Sequence, residues 1–313
     1  MKAVRIYEYG GPEVLKYESV SKPEAIEKEV LIRVMATSVN HLEVKITSGV
    51  KRNQMPVHFP WIPGFDLAGV IESIGSSVEN FPFQVGDKVY AKTTGGTYAE
   101  YIAVDPQWIA RQPEQLIFTD AASIPHVGLT AWQALYTHGQ LQPGQKVLIH
   151  GGAGGVGEFA IQFAKITGAT VYTTASAKDS YFVGSLGADT MIDYKSVDFT
   201  TQVKDLDLVL DLVGGDTLDK SYGVIRPGGT LVTTAGTIDQ KKAREHQIHA
   251  TGMVVQPDGK ALGQITEWIE AGKVKYDVAE IYPLAEVISA WNTFLHKSAE
   301  ARKFSHGKVV LEV

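Results

Sequence analysis

Three glycines in one short stretch, Gly152, Gly154 and Gly157, form the pattern Gly-x-Gly-x-x-Gly. The stretch follows the apolar run Lys146–His150 and precedes a segment with helical spacing of apolar residues, so it predicts a strand, a tight turn and a helix. In such a unit the glycines permit the turn, the approach of a pyrophosphate to bare backbone, and close packing of helix on sheet. The helix N-terminus adds N–H donors and a partial positive charge. The alternative is a purely structural turn. The residues of this predicted phosphate turn are Gly152, Ala153, Gly154, Gly155, Val156 and Gly157.

The loop after the next predicted strand bears on which dinucleotide would bind. An NAD site usually carries Asp or Glu about 20 residues beyond the glycines, where the carboxylate binds the ribose 2′-hydroxyl. Here Ser176 and Lys178 occupy that region, and a hydroxyl and an ammonium can bind a 2′-phosphate. We therefore expect NADPH. Asp179 in the same loop argues against this expectation, and the alternative is that Ser176 caps a helix and Lys178 is a solvated charge.

Two kinds of sequence must position these residues. Up to about residue 120, short β-rich runs are separated by Pro and Gly turns, which is typical of a compact antiparallel β unit. Beyond it, strands alternate with helical segments, which is typical of a parallel sheet covered on both faces, and a helix is expected near Lys260–Glu270. The strands expected in this second part are Val147–His150, Val171–Thr174, Met191–Asp193, Leu208–Asp211, Thr230–Thr234 and Gly252–Val255.

The end of the chain returns to mixed character. A helix is expected near Leu284–His296 and a last strand at Gly307–Val313. Because an isolated strand needs a sheet to join, we expect this tail to complete the first domain. The predicted domains are a discontinuous first domain of residues 1–121 and 274–313 and a dinucleotide-binding domain of residues 122–273, with a cleft between them.

Composition narrows the possible partners. The 313 residues carry a net charge of −6, with acidic and basic residues mixed along the sequence, so neither nucleic acid nor an anionic membrane is an expected partner. Cysteine is absent, which excludes disulfides and thiolate zinc sites. Ala121–Gln145 lacks charged residues but is broken by Pro and Gly, so it is not an expected membrane span. Met1–Ile6 resembles a strand and not a signal peptide, and we expect a cytoplasmic protein.

Ordered motifs extend along nearly the whole chain. They are Val39-Asn40, Ile62–Val70, Val85–Val89, Gly96–Tyr101, Gly128–Trp132, the phosphate turn, Leu186–Asp189 and Gly307–Leu311. Together they resemble the medium-chain dehydrogenase/reductase superfamily, in particular its zinc-independent branch of NADPH:quinone oxidoreductases and enone reductases. The resemblance implies an α/β architecture in which a GroES-like β-rich catalytic domain accompanies a Rossmann domain with a doubly wound parallel sheet.

One departure from the family concerns zinc. The family's alcohol dehydrogenases bind catalytic zinc through a Cys and through the His of a Gly-His-Glu motif. The corresponding triplet here is Gly64-Phe65-Asp66, and Phe cannot bind a metal. We therefore expect no metal and no alcohol oxidation, which needs a Lewis acid to stabilise an alkoxide. Asp66 is expected to be a turn residue that bonds nearby backbone.

The resemblance also implies cofactor contacts outside the phosphate turn. Tyr194 matches a family position near the 2′-phosphate. Asn40 would lie by the nicotinamide, and the remaining positions would border the cofactor where strands end or the chain enters the second domain. Their alternatives are ordinary turn, helix and core roles. These remaining positions are Thr130, Leu212, Val213, Ala235 and Gly236.

Catalytic residues are harder to assign. Enoyl-thioester reductases of the family use a Tyr shortly after a Gly in the first domain, and the corresponding Ser48–Arg52 has none. Lys51 resembles a Lys in the same loop of fruit-ripening enone reductases and could stabilise an enolate, although an exposed loop Lys is the simpler interpretation. His41, His126 and Asn40 are weaker candidates, and the proton donor stays unassigned.

The sequence thus predicts a zinc-independent enzyme that transfers hydride from NADPH to quinones or α,β-unsaturated carbonyls. The alternatives are an NADPH-binding protein with little turnover, like the family's crystallins or RNA-binding members, and an enoyl-thioester reductase. The expected partner is a small-molecule substrate. A homodimer is also expected, because the sixth strand of the second sheet would lie at an edge and could pair across a two-fold axis.

Overall fold

The computed structural model describes residues 1–297 and 306–313, which group into two compact units. Unit 1 contains Met1–Leu129, Gln256–Ala271 and Tyr276–Val313, and unit 2 contains Thr130–Val255 and Gly272–Lys275. The strands are β1 (Lys2–Arg5), β2 (Lys16–Ser19), β3 (Val30–Ser38), β4 (Asp66–Ile74), β5 (Lys88–Lys92), β6 (Tyr101–Val104), β7 (Ile109–Arg111), β8 (Lys146–His150), β9 (Thr170–Ala175), β10 (Thr190–Asp193), β11 (Leu206–Asp211), β12 (Ile225–Thr233), β13 (His249–Gly252), β14 (Val278–Pro283) and β15 (Lys308–Glu312).

Short 3-10 turns and one π-helical turn, Gln133–His138, accompany the α-helices. The α-helices are α1 (His41–Thr47), α2 (Phe118–Ala121), α3 (Pro125–Trp132), α4 (Gly155–Thr167), α5 (Ser180–Ser185), α6 (Gly215–Ser221), α7 (Gln240–Glu245), α8 (Gly259–Glu270) and α9 (Val287–Lys297). None of the helices in the described part of the chain combines the length and the apolar character needed to cross a membrane.

Unit 1 is built on a sheet in the order β14-β15-β3-β4-β5-β7, with β6 also paired to β3. The tail joins this sheet as expected, because β15 runs antiparallel to β3 with Val310 opposite Ser38. The sheet is not purely antiparallel, since β14 and β15 are parallel. A core cluster that includes Ile32, Leu67 and Val89 holds its strands together.

Strands β2, β7 and β14 of unit 1 have no counterpart among the β-rich runs that the sequence predicts there. Those runs are Ala3–Tyr7, Glu29–Thr37, Gly69–Ile74, Lys88–Ala91 and Tyr98–Val104. Strand β2 is mostly exposed and therefore lacks alternation of apolar and polar residues, and β7 has only three residues. Strand β14 is nowhere fully buried. Their pairing partners hold these strands in place, and the residues of the strands themselves carry little signal.

Helix α8 also belongs to unit 1, whereas the sequence analysis placed residues 260–270 in the second domain. The Tyr90 hydroxyl lies 3.1 Å from the Leu262 carbonyl oxygen and 2.8 Å from the Thr266 hydroxyl. The Thr266 hydroxyl also lies 2.9 Å from the Arg111 carbonyl oxygen, at the end of β7. These buried contacts attach α8 to the first sheet.

Unit 2 contains a six-stranded parallel sheet in the order β10-β9-β8-β11-β12-β13, the doubly wound order expected from the sequence. Its last strand lies three residues earlier than predicted. The apolar run of Gly252–Val255 follows the strand, and Met253 and Val255 are buried there. The strand itself is the more polar His249–Gly252 at the sheet edge.

Close backbone packing fixes the phosphate turn between β8 and α4. The N–H groups of Gly151 and Gly152 both point to the Thr174 carbonyl oxygen, at 3.2 and 3.0 Å. A Cβ on Gly152 would lie 2.0 Å from the Thr173 hydroxyl, and one on Gly157 would lie 2.3 Å from the Gly151 carbonyl oxygen. Glycine is therefore required at the first and third positions of the pattern, because any Cβ there would overlap neighbouring atoms.

We expect Gly157→Ala to destabilise the protein by about 1–3 kcal/mol, because the added methyl group meets backbone that cannot move without displacing α4. The free energy of unfolding in urea measures this effect. The control is Gly184→Ala in α5, where no heavy atom lies within 4 Å of the new Cβ. This control should cost nothing or add up to about 1 kcal/mol, as Ala favours helix. Equal effects of the two substitutions would contradict the packing argument.

Candidate functional site

The phosphate turn presents a helix N-terminus without a side chain over it. Gly154 is the N-cap residue of helix α4 and provides no side-chain hydrogen bond to the helix. A Cβ on Gly154 would meet only the Gly151 carbonyl oxygen, at 3.4 Å. The first N–H groups of a helix lack partners within the helix, and they attract phosphate. The residues present therefore fit the pyrophosphate of a dinucleotide. Glu158, in the first turn of α4, is buried at 3% exposure.

The Asp211 carboxylate shapes two neighbouring loops at the same end of the sheet. It is fully buried and accepts hydrogen bonds from the Val213 and Gly214 N–H groups at 3.1 and 3.0 Å and from the Thr233 hydroxyl at 2.6 Å. The Thr233 hydroxyl in turn lies 3.0 Å from the Ala235 N–H. Asp211 thus holds the segments that contain four expected cofactor contacts: Leu212, Val213, Ala235 and Gly236.

Sequence reasoning did not identify Asp211 as a functional residue. The signal was present, because an Asp at the end of the apolar strand Leu206–Asp211 must find donors for its buried carboxylate. Those donors are two N–H groups of the loop after β11 and the hydroxyl of Thr233, the last residue of β12. Only the parallel pairing of β11 with β12 brings them together.

The loop after β9 contains the residues expected to contact the ribose. Ser176 and Asp179 are buried, and the Ser176 hydroxyl donates to Oδ2 of Asp179 at 2.6 Å. Lys178 is exposed, and so is Tyr194, whose N–H donates to the Ala175 carbonyl oxygen at 3.3 Å. The ends of β8, β9 and β10 are adjacent in the sheet, so this loop neighbours the phosphate turn within unit 2.

Unit 1 contains a buried polar cluster around Asn40, which precedes α1. The Asn40 amide nitrogen donates to Oδ2 of Asp66 at 2.8 Å and lies 3.3 Å from Oε1 of Glu43. Its amide oxygen accepts a hydrogen bond from the Lys308 ammonium. We call Asn40, Glu43, Asp66 and Lys308 the unit 1 polar cluster. Asn40 is only 4% exposed, and its contact with a nicotinamide stays a prediction.

The sequence analysis expected Asp66 to bond nearby backbone, but the structure gives it other partners. Its Oδ1 accepts a hydrogen bond from the backbone N–H of His126 at 2.6 Å, and its Oδ2 accepts one from the Ser38 hydroxyl at 2.5 Å. The Lys308 ammonium lies 3.8 Å from Oδ2. The expectation was wrong because Asp66 begins strand β4 inside the sheet, where its partners come from distant segments.

Glu43 is the fully buried acid of this cluster. Its Oε1 accepts the Asn40 N–H at 2.7 Å, and its Oε2 has no hydrogen-bond partner among the described residues. Burial raises the pKa of Glu43 to about 8 and the neighbouring Asp66 adds to the increase, while the Lys308 ammonium opposes both. Asn40-x-x-Glu43 is the spacing of a helix capping box, so the sequence carried a signal for this contact.

The remaining candidates lie in separate surroundings. The Lys51 ammonium donates to the side-chain oxygen of Gln54 at 2.7 Å within an exposed turn. The ring of His41 packs on Phe294 with 4.6 Å between ring centroids. The expected contacts Asn40 and Thr130 fall in different units and are both buried.

His126 and His150 are both histidines whose burial lowers the pKa. The pKa of His126 is well below its ordinary value, and the Lys308 ammonium adds to the effect of burial. Burial lowers the pKa of His150 to about 4, although Asp211 opposes this shift. His150 is fully buried and lies within hydrogen-bonding distance of the Thr174 and Ser221 hydroxyls, so it serves packing.

Phe65 is 1% exposed where the zinc-binding members of the resembled family carry a His ligand. Across residues 1–297 and 306–313, no group of three or more His, Cys, Asp or Glu side chains is arranged to hold a metal ion.

Two family models match the chain. Residues 26–114 match the alcohol dehydrogenase GroES-like domain, and residues 186–311 match a model described as zinc-binding dehydrogenase. The first match falls within unit 1, and the second begins in unit 2 and ends in β15.

Known proteins resemble the whole chain. The NADPH-dependent alkenal/one oxidoreductase of Arabidopsis thaliana chloroplasts is 35% identical over 93% of this chain and 76% of that protein. The quinone oxidoreductase structure from Coxiella burnetii has a TM-score of 0.88 and 34% identity, covering 100% of this chain and 99% of that one. The Escherichia coli quinone oxidoreductase complexed with NADPH has a TM-score of 0.88 and 25% identity over 100% of both chains.

We expect Glu43→Gln to change how stability depends on pH. Wild-type Glu43 keeps its proton up to about pH 8 when folded and releases it near 4.5 when unfolded, so the wild type loses stability as pH rises between these values. The variant lacks this loss. Its advantage in free energy of unfolding should therefore grow from pH 5 to pH 8, by at most about 1.4 kcal/mol per pH unit, and level off above that.

Urea unfolding of both proteins at each pH measures this difference. The exposed Glu79→Gln is the matched control, and its difference from the wild type should not vary with pH. Parallel pH curves for Glu43→Gln and the wild type would contradict the raised pKa.

Proposed function

The chain belongs to the medium-chain dehydrogenase/reductase family, and we propose that it is an NADPH-dependent oxidoreductase that reduces quinones or α,β-unsaturated carbonyls. Whole-chain similarity to an alkenal/one oxidoreductase and to quinone oxidoreductases, one of them complexed with NADPH, supports this function. The observation that carries it is the phosphate turn, where no Cβ fits at Gly152 or Gly157 and where the helix N-terminus has no side-chain cap.

The chemistry of the acceptor determines what the cofactor supplies and what the protein must do. When bound, NADPH supplies the hydride from its nicotinamide ring. Quinones and enones are electron-poor, so the protein must position them and stabilise a developing oxyanion, and it needs no strong base. We propose that the phosphate turn holds the pyrophosphate and that Asp211 fixes the loops Leu212–Val213 and Ala235–Gly236 beside the cofactor.

We propose that the remaining expected contacts also bind the cofactor. Lys178 and Tyr194 are exposed and can reach a 2′-phosphate from solvent. Asn40 and Thr130 are proposed on the family resemblance. The buried polar cluster supports Asn40, because Glu43, Asp66 and Lys308 all contact its amide and fix its orientation.

We propose that catalysis needs no zinc. The support is the set of side chains at the position of the family's zinc: a buried Phe65 in place of His, and a sequence with no cysteine. Asp66 is committed to Ser38, Asn40 and His126, so its oxygens already have donors.

A cytoplasmic homodimer is the remaining proposal. Strand β13 lies at the edge of the unit 2 sheet and offers backbone groups that a second copy could pair across a two-fold axis. The absence of cysteine fits a reducing compartment without requiring one.

An assay of NADPH oxidation against a panel of acceptors tests the proposed activity. We expect turnover with quinones such as menadione or with simple enones, and little turnover with an enoyl-CoA thioester, because Ser48–Arg52 lacks the Tyr of the thioester reductases. Tight NADPH binding with no turnover across the panel would favour the second candidate, a nucleotide-binding protein. Turnover confined to the thioester would favour the third candidate, an enoyl-thioester reductase.

Chelator treatment tests the role of zinc separately. After dialysis against EDTA we expect the rate of NADPH oxidation to be unchanged and elemental analysis to find less than one zinc per chain, because Phe65 cannot bind a metal. The control is the same dialysis followed by added zinc, which should not raise the rate. Stoichiometric zinc that activity requires would contradict the proposal.

A further inference from the structure

The loop of residues 48–60 in unit 1 is attached at both ends to the short segment that follows strand β1. At the start of the loop, the Gly10 N–H donates to the Thr47 carbonyl oxygen at 2.8 Å. At its end, the N–H groups of Ile6 and Trp61 each donate to the carbonyl oxygen of the other residue, at 2.9 and 3.0 Å. Residues 6–10 therefore determine where this loop begins and ends.

The half-buried side chain of Tyr9, in the same segment, contacts the loop between these ends. Gly49 packs against it, since a Cβ on Gly49 would lie 3.3 Å from both Cβ and Cγ of Tyr9. The ring of Phe59 meets the Tyr9 ring edge to face, with 5.0 Å between ring centroids. The Val57 N–H points to the Tyr9 hydroxyl oxygen at 3.5 Å, which is long for a hydrogen bond. The Tyr9 ring, more than its hydroxyl, thus holds both halves of the loop.

Lys51 follows the contact of Gly49 with Tyr9 within a hydrogen-bonded turn. The Arg52 N–H donates to the Gly49 carbonyl oxygen at 3.1 Å. The Lys51 carbonyl oxygen accepts hydrogen bonds from the N–H groups of two later residues of the turn, at 2.9 and 2.8 Å. A displacement of Gly49 is therefore passed directly to the backbone of Lys51.

The Lys51 ammonium is held in one orientation as well. It donates to the side-chain oxygen of Gln54 at 2.7 Å, which uses one of its three N–H bonds. The neighbouring Val50 is 73% exposed. An oriented ammonium beside an exposed apolar side chain suits a ligand that is mainly apolar and gains negative charge on an oxygen atom.

A quinone or an enone is such a ligand. Hydride from NADPH forms a C–H bond at the acceptor, NADPH becomes NADP⁺, and the displaced electron pair moves to the carbonyl oxygen. That oxygen carries a negative charge until it takes up a proton. An ammonium binds this oxyanion more strongly than it binds the neutral carbonyl group, so the interaction lowers the barrier to hydride transfer.

We propose that Tyr9 is a positioning residue for the acceptor, whose ring fixes the loop of residues 48–60 so that the Lys51 ammonium meets the carbonyl oxygen of the acceptor. The inference rests on the proposed function, which supplies the hydride and the acceptor. Tyr9 itself touches neither of them and acts through Lys51. The loop is ordered before the acceptor binds, so binding does not have to order it.

Steady-state oxidation of NADPH with menadione and with a simple enone tests this role. Tyr9→Leu removes the ring that holds Gly49 and Phe59, and we expect kcat/KM for both acceptors to fall by about tenfold or more, because small displacements of a reacting geometry cost this much. Tyr9→Phe keeps the ring and should restore the wild-type value. The dissociation constant of NADPH, measured by titration without an acceptor, should be unchanged in both variants.

Tyr7→Leu is the matched control, because Tyr7 belongs to the same segment and its side chain contacts strand β2 instead of the loop. Its hydroxyl donates to Oε1 of Glu18 at 2.6 Å, and the Lys16 ammonium lies 5.2 Å from the centroid of its ring. This variant should keep the wild-type kcat/KM. Thermal melting of each variant reports whether it is folded. Phe59→Leu removes the same ring contact from the side of the loop and replaces Tyr9→Leu if that variant does not fold.

A double-mutant cycle with Lys51→Met tests whether Tyr9 acts through Lys51. We expect Lys51→Met to lower kcat/KM, and adding Tyr9→Leu to it should lower kcat/KM by less than about a further twofold, since the two changes remove one interaction. Equal effects of Tyr9→Leu with and without Lys51 would overturn the inference. A Lys51→Met variant with wild-type kinetics, or a folded Tyr9→Leu with wild-type kinetics, would overturn it as well. Wild-type protein that oxidises NADPH with no acceptor would instead contradict the proposed function.

Discussion

The contact between the start of helix α4 and the end of strand β8 is the constraint on which the nucleotide site depends. Gly157 lies so close to the backbone of Gly151 and Gly152 that a methyl group there would overlap it, and a methyl group on Gly152 would overlap the Thr173 hydroxyl of β9. The first N–H groups of α4, which lack partners within the helix, follow directly after this contact. Strands β9 and β11 flank β8 in the sheet. The loop after β9 and the loops held by Asp211 therefore lie at the same end of the sheet as the phosphate turn. One backbone contact therefore locates most of the proposed cofactor residues.

The unit 1 polar cluster has a comparable role in the other unit. Its charged groups come from β4, α1 and the tail strand β15, so Asp66, Glu43 and Lys308 connect segments that lie far apart in the sequence. Buried charges are costly unless they are paired, and here two acids share one ammonium. The raised pKa of Glu43 relieves part of that cost, because the folded protein keeps this carboxyl protonated near neutral pH. The discontinuous chain of unit 1 is thus joined by electrostatics as well as by strand pairing.

The sequence predicted the features that are determined by neighbouring residues, and it did not predict those that depend on residues far away in the chain. The phosphate turn, the helix after it and the parallel sheet of unit 2 follow from short patterns, and the structure confirms them. Asp66 was misjudged because its partners His126 and Lys308 lie 60 and 242 positions away (126 − 66 and 308 − 66), beyond any local pattern. The donor role of Ser176 could not be assigned either, since only the fold shows that its proton is already committed to Asp179.

The central claim is that this protein moves a hydride from NADPH to an electron-poor carbon or quinone. Its most direct test is the reduction of an enone with NADPH deuterated at nicotinamide C4, using each C4 stereoisomer in turn, followed by mass spectrometry and NMR of the product. The account predicts one deuterium on the former β-carbon with one of the two stereoisomers. A reduced product without deuterium from either stereoisomer, or no consumption of NADPH with any enone or quinone, would contradict it.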